Sequence, residues 1–284
     1  MPPCLHLVAY SSPAGSTAHV AEVILDELKN QGADAQQYPL WQRNWTTDPP
    51  AALRAADGPI CLWVGSPVYA HHPVPPVAEF LQTLPYNRGY ALPFVTWGAV
   101  TSGTALFEMG QTLESRGWGL LGAAKIVAVH SGLLESDHPL GHGHPDEADD
   151  QLTRDLARHA LRVLSGSEPI RAIDSQALNY QPGWVRERSK NLSLEGIKNT
   201  LHPGFDIDQQ ACTQCDICAQ SCPTGAIELA PFPVMGKDCM LCHTCVRECP
   251  EDAIHVQGSV ADKEKRLRAM AEEHSESPGT KIFV

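Results

Sequence analysis

The chain has 284 residues, 43% of them hydrophobic, with 21 basic against 33 acidic side chains and a formal net charge of -12. That length calls for more than one compact domain, and the acidic balance argues against nucleic acid or an anionic membrane as partner while suiting solubility or a basic protein. The opening MPPCLHLVAYSS has no basic export region and no apolar run approaches membrane-spanning length, so a reducing, cytoplasmic setting is expected.

An apolar run at 5–10 reads as a strand. It is followed by the hydroxyl-rich turn SSPAGST at 11–17 and a helix whose Val20, Ala21, Ile24, Leu25 and Leu28 share one face until Gly32 stops it. Further strands are expected at 33–38, 59–65, 93–98 and 124–130, and helices near 74–84, 104–116 and 146–164. The last helix is opened by Pro145, with Asp146, Glu147, Asp149 and Asp150 at its positive end. Five strands alternating with helices predict an α/β domain over 1–166, a doubly wound parallel sheet whose ligands sit at the topological switch point. Cys4 and Cys61 fall on neighbouring strands, where buried apolar thiols are expected.

The turn at 11–17 sets Gly15 and the hydroxyls of Ser11, Ser12, Ser16 and Thr17 at a helix N-terminus. There the backbone N–H groups and the helix dipole suit a phosphate; the plainer alternative is a helix cap. The Gly-Lys-Ser/Thr of a Walker loop is absent. A GxGxxG at 117–122 follows a helix and precedes a strand, the reverse of the dinucleotide context, and reads as a helix end and strand entry. With SPAGST at 12–17, GSPVYAHHPVPP at 65–76 and TWGAVTSGTAL at 96–106, this segment resembles the flavodoxin family. The resemblance implies a five-stranded sheet in the order 2-1-3-4-5 and bound FMN. It places the phosphate on Ser11, Ser12, Pro13, Ala14, Gly15, Ser16 and Thr17, and the isoalloxazine against Ser66, Pro67, Val68, Tyr69, Gly98, Ala99 and Val100. Tyr69 is the expected ring neighbour, and Trp97 either stacks on the ring or belongs to the core. Ala14 and Ser16 stand where the family has threonine and asparagine.

Beyond the fifth strand, HSGLLESDHPLGHGHPDEADD at 130–150 carries His130, His138, His142 and His144. A solvated loop, a metal site, and a proton-relay or substrate contact all fit that composition. Residues 167–205 hold the apolar positions Leu178, Trp184, Val185, Leu192, Leu194, Ile197 and Leu201, which a solvated tether would not need. An ordered connector is expected.

Eight of the ten cysteines lie in CTQCDICAQSCP and CMLCHTCVRECP, two copies of C-x2-C-x2-C-x3-C-P offset by 27 residues. Zinc knuckles have no use for the third cysteine or the closing proline, disulfides do not suit a reducing setting, and reading CMLCH at 239–243 as a haem attachment would break the repeat. The run is that of bacterial ferredoxins, in which the fourth cysteine serves the other cluster. Residues 206–258 thus resemble a small α+β two-cluster ferredoxin. The resemblance implies one 4Fe-4S cluster on Cys212, Cys215, Cys218 and Cys249 and another on Cys239, Cys242, Cys245 and Cys222. This segment carries 2 basic and 8 acidic side chains. Residues 259–284 contain an expected surface helix at 261–273 and a tail, SPGTKIFV, that docks as a strand or stays loose.

A flavodoxin-like domain followed by a two-cluster ferredoxin resembles the flavodoxin-ferredoxin fusion proteins of anaerobes. That family carries G-R-P-D where this chain reads GHPD, so His144 replaces a permanent charge with a titratable one. The resemblance implies an oxidoreductase relaying single electrons between an external low-potential donor, the clusters and FMN, which then serves a small substrate or a redox partner. Tyr69 and His144 are its candidate catalytic residues. The alternative is a non-catalytic electron carrier or partner-delivery subunit. A flavin face left open with polar groups would favour the enzyme, and one covered by the connector the carrier.

Overall fold

A computed structural model describes residues 4–48, 50–54, 59–86, 89–200 and 204–284. Leu201, one of the expected connector anchors, lies outside the described residues. Strand β1 (Leu5–Tyr10) is buried on both faces, with Leu7 and Ala9 in one core and Val8 and Tyr10 in the other. Such a continuous apolar run is what a central parallel strand requires. Around it lie β2 (Ala35–Pro39), β3 (Ile60–Tyr69), β4 (Gly89–Trp97) and β5 (Ala123–Val127), all parallel, in the order β2-β1-β3-β4-β5. This is the doubly wound, flavodoxin-type order expected from the sequence.

Helices α1 (Ser16–Asn30) and α4 (Glu147–Leu164) cover one face of the sheet, and α2 (Pro75–Thr83) and α3 (Ala105–Ser115) the other. The reversed GxGxxG behaves as expected: Gly117 takes the left-handed conformation just past α3, with φ +78°. Cys61 is buried and Cys4 half-buried, and burial pushes the Cys4 thiol up to about 11.

Three strand boundaries differ from those expected. Strand β3 continues through Ser66–Tyr69 because Val68 and Tyr69 pair antiparallel with Pro73 and His72, closing a small hairpin. Strand β4 begins at Gly89, where a Cβ would meet the Ile60 carbonyl at 2.2 Å, so the absence of a side chain permits the pairing. Strand β5 stops at Val127 because the N–H groups of Val129 and His130 turn to the carbonyls of His144 and Leu140.

The connector forms α5 (Gly183–Asn191) and α6 (Leu194–Thr200) after a 3-10 turn. Leu178 and Val185 are buried as anchors. Trp184, also expected as one, is 43% exposed and lays its ring on His274 at 4.9 Å instead.

The cysteine-rich segment comprises β6 (Phe205–Ile207), α7 (Ile217–Gln220), β7 (Ile227–Leu229), β8 (Pro233–Met235), α8 (Thr244–Arg247) and β9 (Ile254–Val256). Its sequence repeat is also a backbone repeat. Positive φ recurs at Gln214 and Leu241, at Asp216 and His243, and at Gly225 and Asp252. The outer strands of the two copies pair with each other, β6 with β9, which ties the copies into one unit.

Helix α9 (Val260–His274) follows, then β10 (Lys281–Phe283), which pairs antiparallel with β5. The tail therefore docks, covering the edge of the first domain's sheet. Among the described residues no helix is long and apolar enough to cross a membrane.

Candidate functional site

Because β1 lies between β2 and β3, the chain leaves the sheet in opposite directions on either side of it, which makes its carboxyl end the topological switch point. Three loops meet there. The first and second are joined by Ser11 N–H donating to Gly65 O at 3.1 Å, the first and third by a 2.8 Å bond between the Thr17 and Thr96 hydroxyls. In the first loop, Ser12 Oγ accepts the Ala18 N–H at 2.8 Å and keeps its own proton to donate. Ser11 Oγ is buried with no partner among the described residues. Gly15 holds φ +93° at the N-terminus of α1, with open space where a Cβ would point. A buried orphan hydroxyl beside a helix N-terminus fits an anionic oxygen. Pro13 is buried, and Ala14 and Ser16 are more open to solvent.

In the second loop Ser66 is fully buried, accepting the Val74 N–H at 3.0 Å and donating to Pro67 O at 2.8 Å. Tyr69 is half-buried, and its hydroxyl accepts from Ser131 Oγ at 3.2 Å. Burial, followed by Cys242, raises the Tyr69 phenol well above its ordinary value, so it stays protonated. In the third loop, a Cβ on Gly98 would lie 2.7 Å from the His130 ring, and Ala99 takes φ +56°; Ala99 and Val100 are buried. Trp97 is 1% exposed and packs with Ala99 and Val127 beneath the Lys125 ammonium, 4.8 Å from its ring: it is core.

His144 sits elsewhere than among these loops' side chains. Its Nδ1 lies 2.6 Å from Asp149 Oδ2, and Asp149 with Asp146 forms a capping box at the start of α4. Of the four histidines in 130–150, His130 lies against the third loop, at Gly98. Burial, then Lys263, lowers it to about 4, leaving a neutral ring that accepts the Gly132 N–H.

The eight repeat cysteines form two groups. Cys212, Cys215, Cys218 and Cys249 line one small cavity. The thiols of Cys239, Cys242 and Cys245 are all raised, first by burial, and each also feels Cys222. Cys245 is pushed up to about 12. These three buried thiols, crowded beside the Cys222 sulfur, need a compensating cation to ionise, so the donor set fits iron. Backbone N–H groups already point at sulfur, Ala226 to Cys222 at 3.2 Å and Ala253 to Cys249 at 3.3 Å, positions 27 residues apart.

The second group faces these three loops. Cys242 and Met240 belong to the first domain's core cluster. Thr244 Oγ1 and Arg247 Nη2 donate to Pro13 O at 3.0 and 2.7 Å, and Arg247 Nη1 donates to Cys242 O at 3.0 Å. Gln42 holds the other side, donating to Pro223 O at 2.8 Å and Cys222 O at 3.1 Å. Cys215, in the first group, is exposed. Sequence reasoning missed Arg247, although a signal for it exists: with Lys237 it is one of only two basic residues among eight acids in 206–258.

Glu276 was missed too, and nothing in its local sequence marks it. Its buried carboxylate accepts from Thr101 Oγ1, the Ser102 N–H and hydroxyl, Gln181 and Lys125, the last at 2.5 Å. Burial alone would raise this carboxyl, but the hydrogen bonds from Lys125 and Ser102 outweigh it and hold it below the ordinary carboxylate range. A depressed folded value contributes stability that is present above the unfolded pKa and is lost as pH falls through the folded one. Glu276→Gln leaves the Lys125 ammonium buried without its counter-charge. A loss of about 3 kcal/mol is expected, with loosening of the 98–102 loop. Urea unfolding at pH 7 checks it, and a variant as stable as the parent would show that the network contributes nothing.

The 4Fe-4S binding domain family matches residues 205–228. No curated protein matches the chain. Among solved structures it is similar to the rubredoxin oxygen:oxidoreductase of the anaerobe Desulfovibrio gigas, at 19% identity and TM-score 0.45, over 58% of this chain and 37% of that one. It is similar to a flavodoxin from the domain Archaea at 18% identity and TM-score 0.41, over 56% of this chain and 98% of that one. For a Streptococcus pneumoniae flavodoxin the values are 16% and 0.42, over 58% and 100%.

Proposed function

We propose that the chain is an iron-sulfur flavoprotein oxidoreductase in which single electrons from an external low-potential donor, a ferredoxin-like protein, pass through two 4Fe-4S clusters to FMN. From there they reach a small substrate or another redox protein. Cys212, Cys215, Cys218 and Cys249 would hold one cluster, and Cys239, Cys242, Cys245 and Cys222 the other. The 11–17 loop would hold the FMN phosphate, with 66–69 and 98–100 at the ring. When bound, each cluster exchanges one electron and FMN one or two, so the assembly converts between one- and two-electron chemistry.

The observation that carries this reading is the seating of the second cysteine group on the flavin-type loops. Arg247 bonds both Pro13 and Cys242, and Tyr69 feels the Cys242 thiol. The exposed Cys215 leaves the first group as the entry point from solvent or a partner. Arg247 and Thr244 would fix the spacing between the second cluster and the phosphate loop. Tyr69, kept protonated, would offer a neutral hydroxyl at the ring and exclude water. The thiol content suits a reducing cytoplasm and anaerobic metabolism.

The carrier alternative differs in having no substrate. The connector packs on the hairpin next to Tyr69, where His72 Nε2 bonds the carbonyls of Ser189 and Leu192 at 3.0 Å, which is the observation favouring it. Protein purified without oxygen and mixed with reductants in stopped flow tests the reading. Reduced ferredoxin is expected to bleach the flavin quickly and NAD(P)H poorly, since the chain's one GxGxxG ends a helix. Fast bleaching by NAD(P)H would replace the proposal with a direct reductase.

A further inference from the structure

A cavity of about 620 Å3 opens where three segments meet: the turn after β5, the second cysteine repeat and α9. That is the size of a small-ligand site. Its cationic groups stand on two walls, Arg247 on one and Lys263, Lys265 and Arg266 on the other, against the carboxylates of Glu135 and Asp262. In a chain of net charge -12 this is a local reversal of sign. Arg247 bonds only carbonyl and hydroxyl oxygens among the described residues, so its charge lacks a carboxylate there. Lys263 is half-buried, its ammonium makes no hydrogen bond or ion pair with a described residue, and burial lowers it below the ordinary lysine range against the opposing pull of Glu135. A cation is costly to hold in such a place without an anion to meet it.

The cavity also touches both halves of the redox site. Ser131 lines it and donates to the Tyr69 hydroxyl, and Arg247 lines it and bonds the peptides of Pro13 and Cys242. We propose that this cavity binds a small dianion, a dicarboxylate or a phosphate ester, with one charge toward Arg247 and the other toward Lys263 and Arg266. Its role as the substrate pocket rests on the oxidoreductase reading; the binding itself does not.

Isothermal titration of the anaerobic holoprotein at fixed ionic strength tests this, with succinate and inorganic phosphate as the two probes. At least one anion is expected to bind saturably at one site per chain. Binding to succinate assigns the dicarboxylate, and binding to phosphate alone assigns the phosphate ester. Lys263→Met, which keeps the apolar stem, should weaken binding at least tenfold, as should Arg266→Gln. Lys29→Met, on α1, should leave it unchanged. FMN content and flavin reduction by ferredoxin should match the parent in both cavity variants, which separates this proposal from the electron relay. No saturable binding of either anion, parental affinity in both cavity variants, or loss of FMN from Lys263→Met would overturn it.

Discussion

Replacing Cys222 with alanine should destroy the cluster of the other repeat and spare the one its own run begins. Cys222 follows Cys212, Cys215 and Cys218 along the chain, yet its thiol is felt by Cys239, Cys242 and Cys245. Cys212, Cys215 and Cys218 share their cavity with Cys249 instead. The crossing follows from two pairings, β9 with β6 and β7 with β8, each of which folds the end of one copy back onto the start of the other. Removing one of four thiolates should reduce iron from about eight to about four atoms per chain. Mössbauer or EPR spectra should retain only the signals of the exposed cluster. Loss of that cluster, with the buried one intact, would overturn the pairing.

Gly15→Val should remove FMN while leaving both clusters in place. A Cβ at this position would point into open space, so the effect does not come from a clash with protein. It comes first from the backbone: φ +93° is a conformation that a β-branched residue reaches only at a cost of order 1–3 kcal/mol. Relaxing toward negative φ would rotate the N–H groups that begin α1 away from the phosphate, and the valine methyls would occupy the approach to it. A fall in FMN affinity of about fivefold to a hundredfold follows from the conformational cost alone. Fluorescence titration of the apoprotein with FMN, with iron content as the control, measures it. Parental affinity would mean that the loop is only a helix cap.

Much of this architecture could be read directly from the chain. Alternating apolar runs and helical faces announce the doubly wound sheet because its inner parallel strands are buried on both sides, and eight cysteines at fixed offsets leave few chemistries open. What escaped has a common cause: it depends on residues far apart in sequence that are ordinary in their local context. Lys281–Phe283 is too short for any periodicity to decide between the docked strand and the loose tail that the sequence allowed, and only the free edge of β5 decides it. Glu276 gains its meaning from Lys125 and Ser102, more than 150 residues away. The histidine singled out by its motif, His144, pairs with the Asp149 carboxylate of a helix capping box, whereas His130 was one of four alike until the fold laid it against Gly98.

The central claim is that electrons reach the flavin through the second cysteine group, and Cys242→Ser tests it most directly. The Cys242 thiol lies by Tyr69, and its carbonyl shares Arg247 with Pro13, so the change falls at the junction between the two halves. Each 59 mV of mismatch shifts a one-electron equilibrium about tenfold, so a damaged cluster should hold back transfer steeply. Stopped-flow reduction of the flavin would be compared with reduced ferredoxin and with dithionite, a small reductant able to reach an exposed flavin without the clusters. The account predicts that Cys242→Ser slows reduction by ferredoxin far more than reduction by dithionite. Equal slowing with both reductants, or no slowing with ferredoxin, would contradict it.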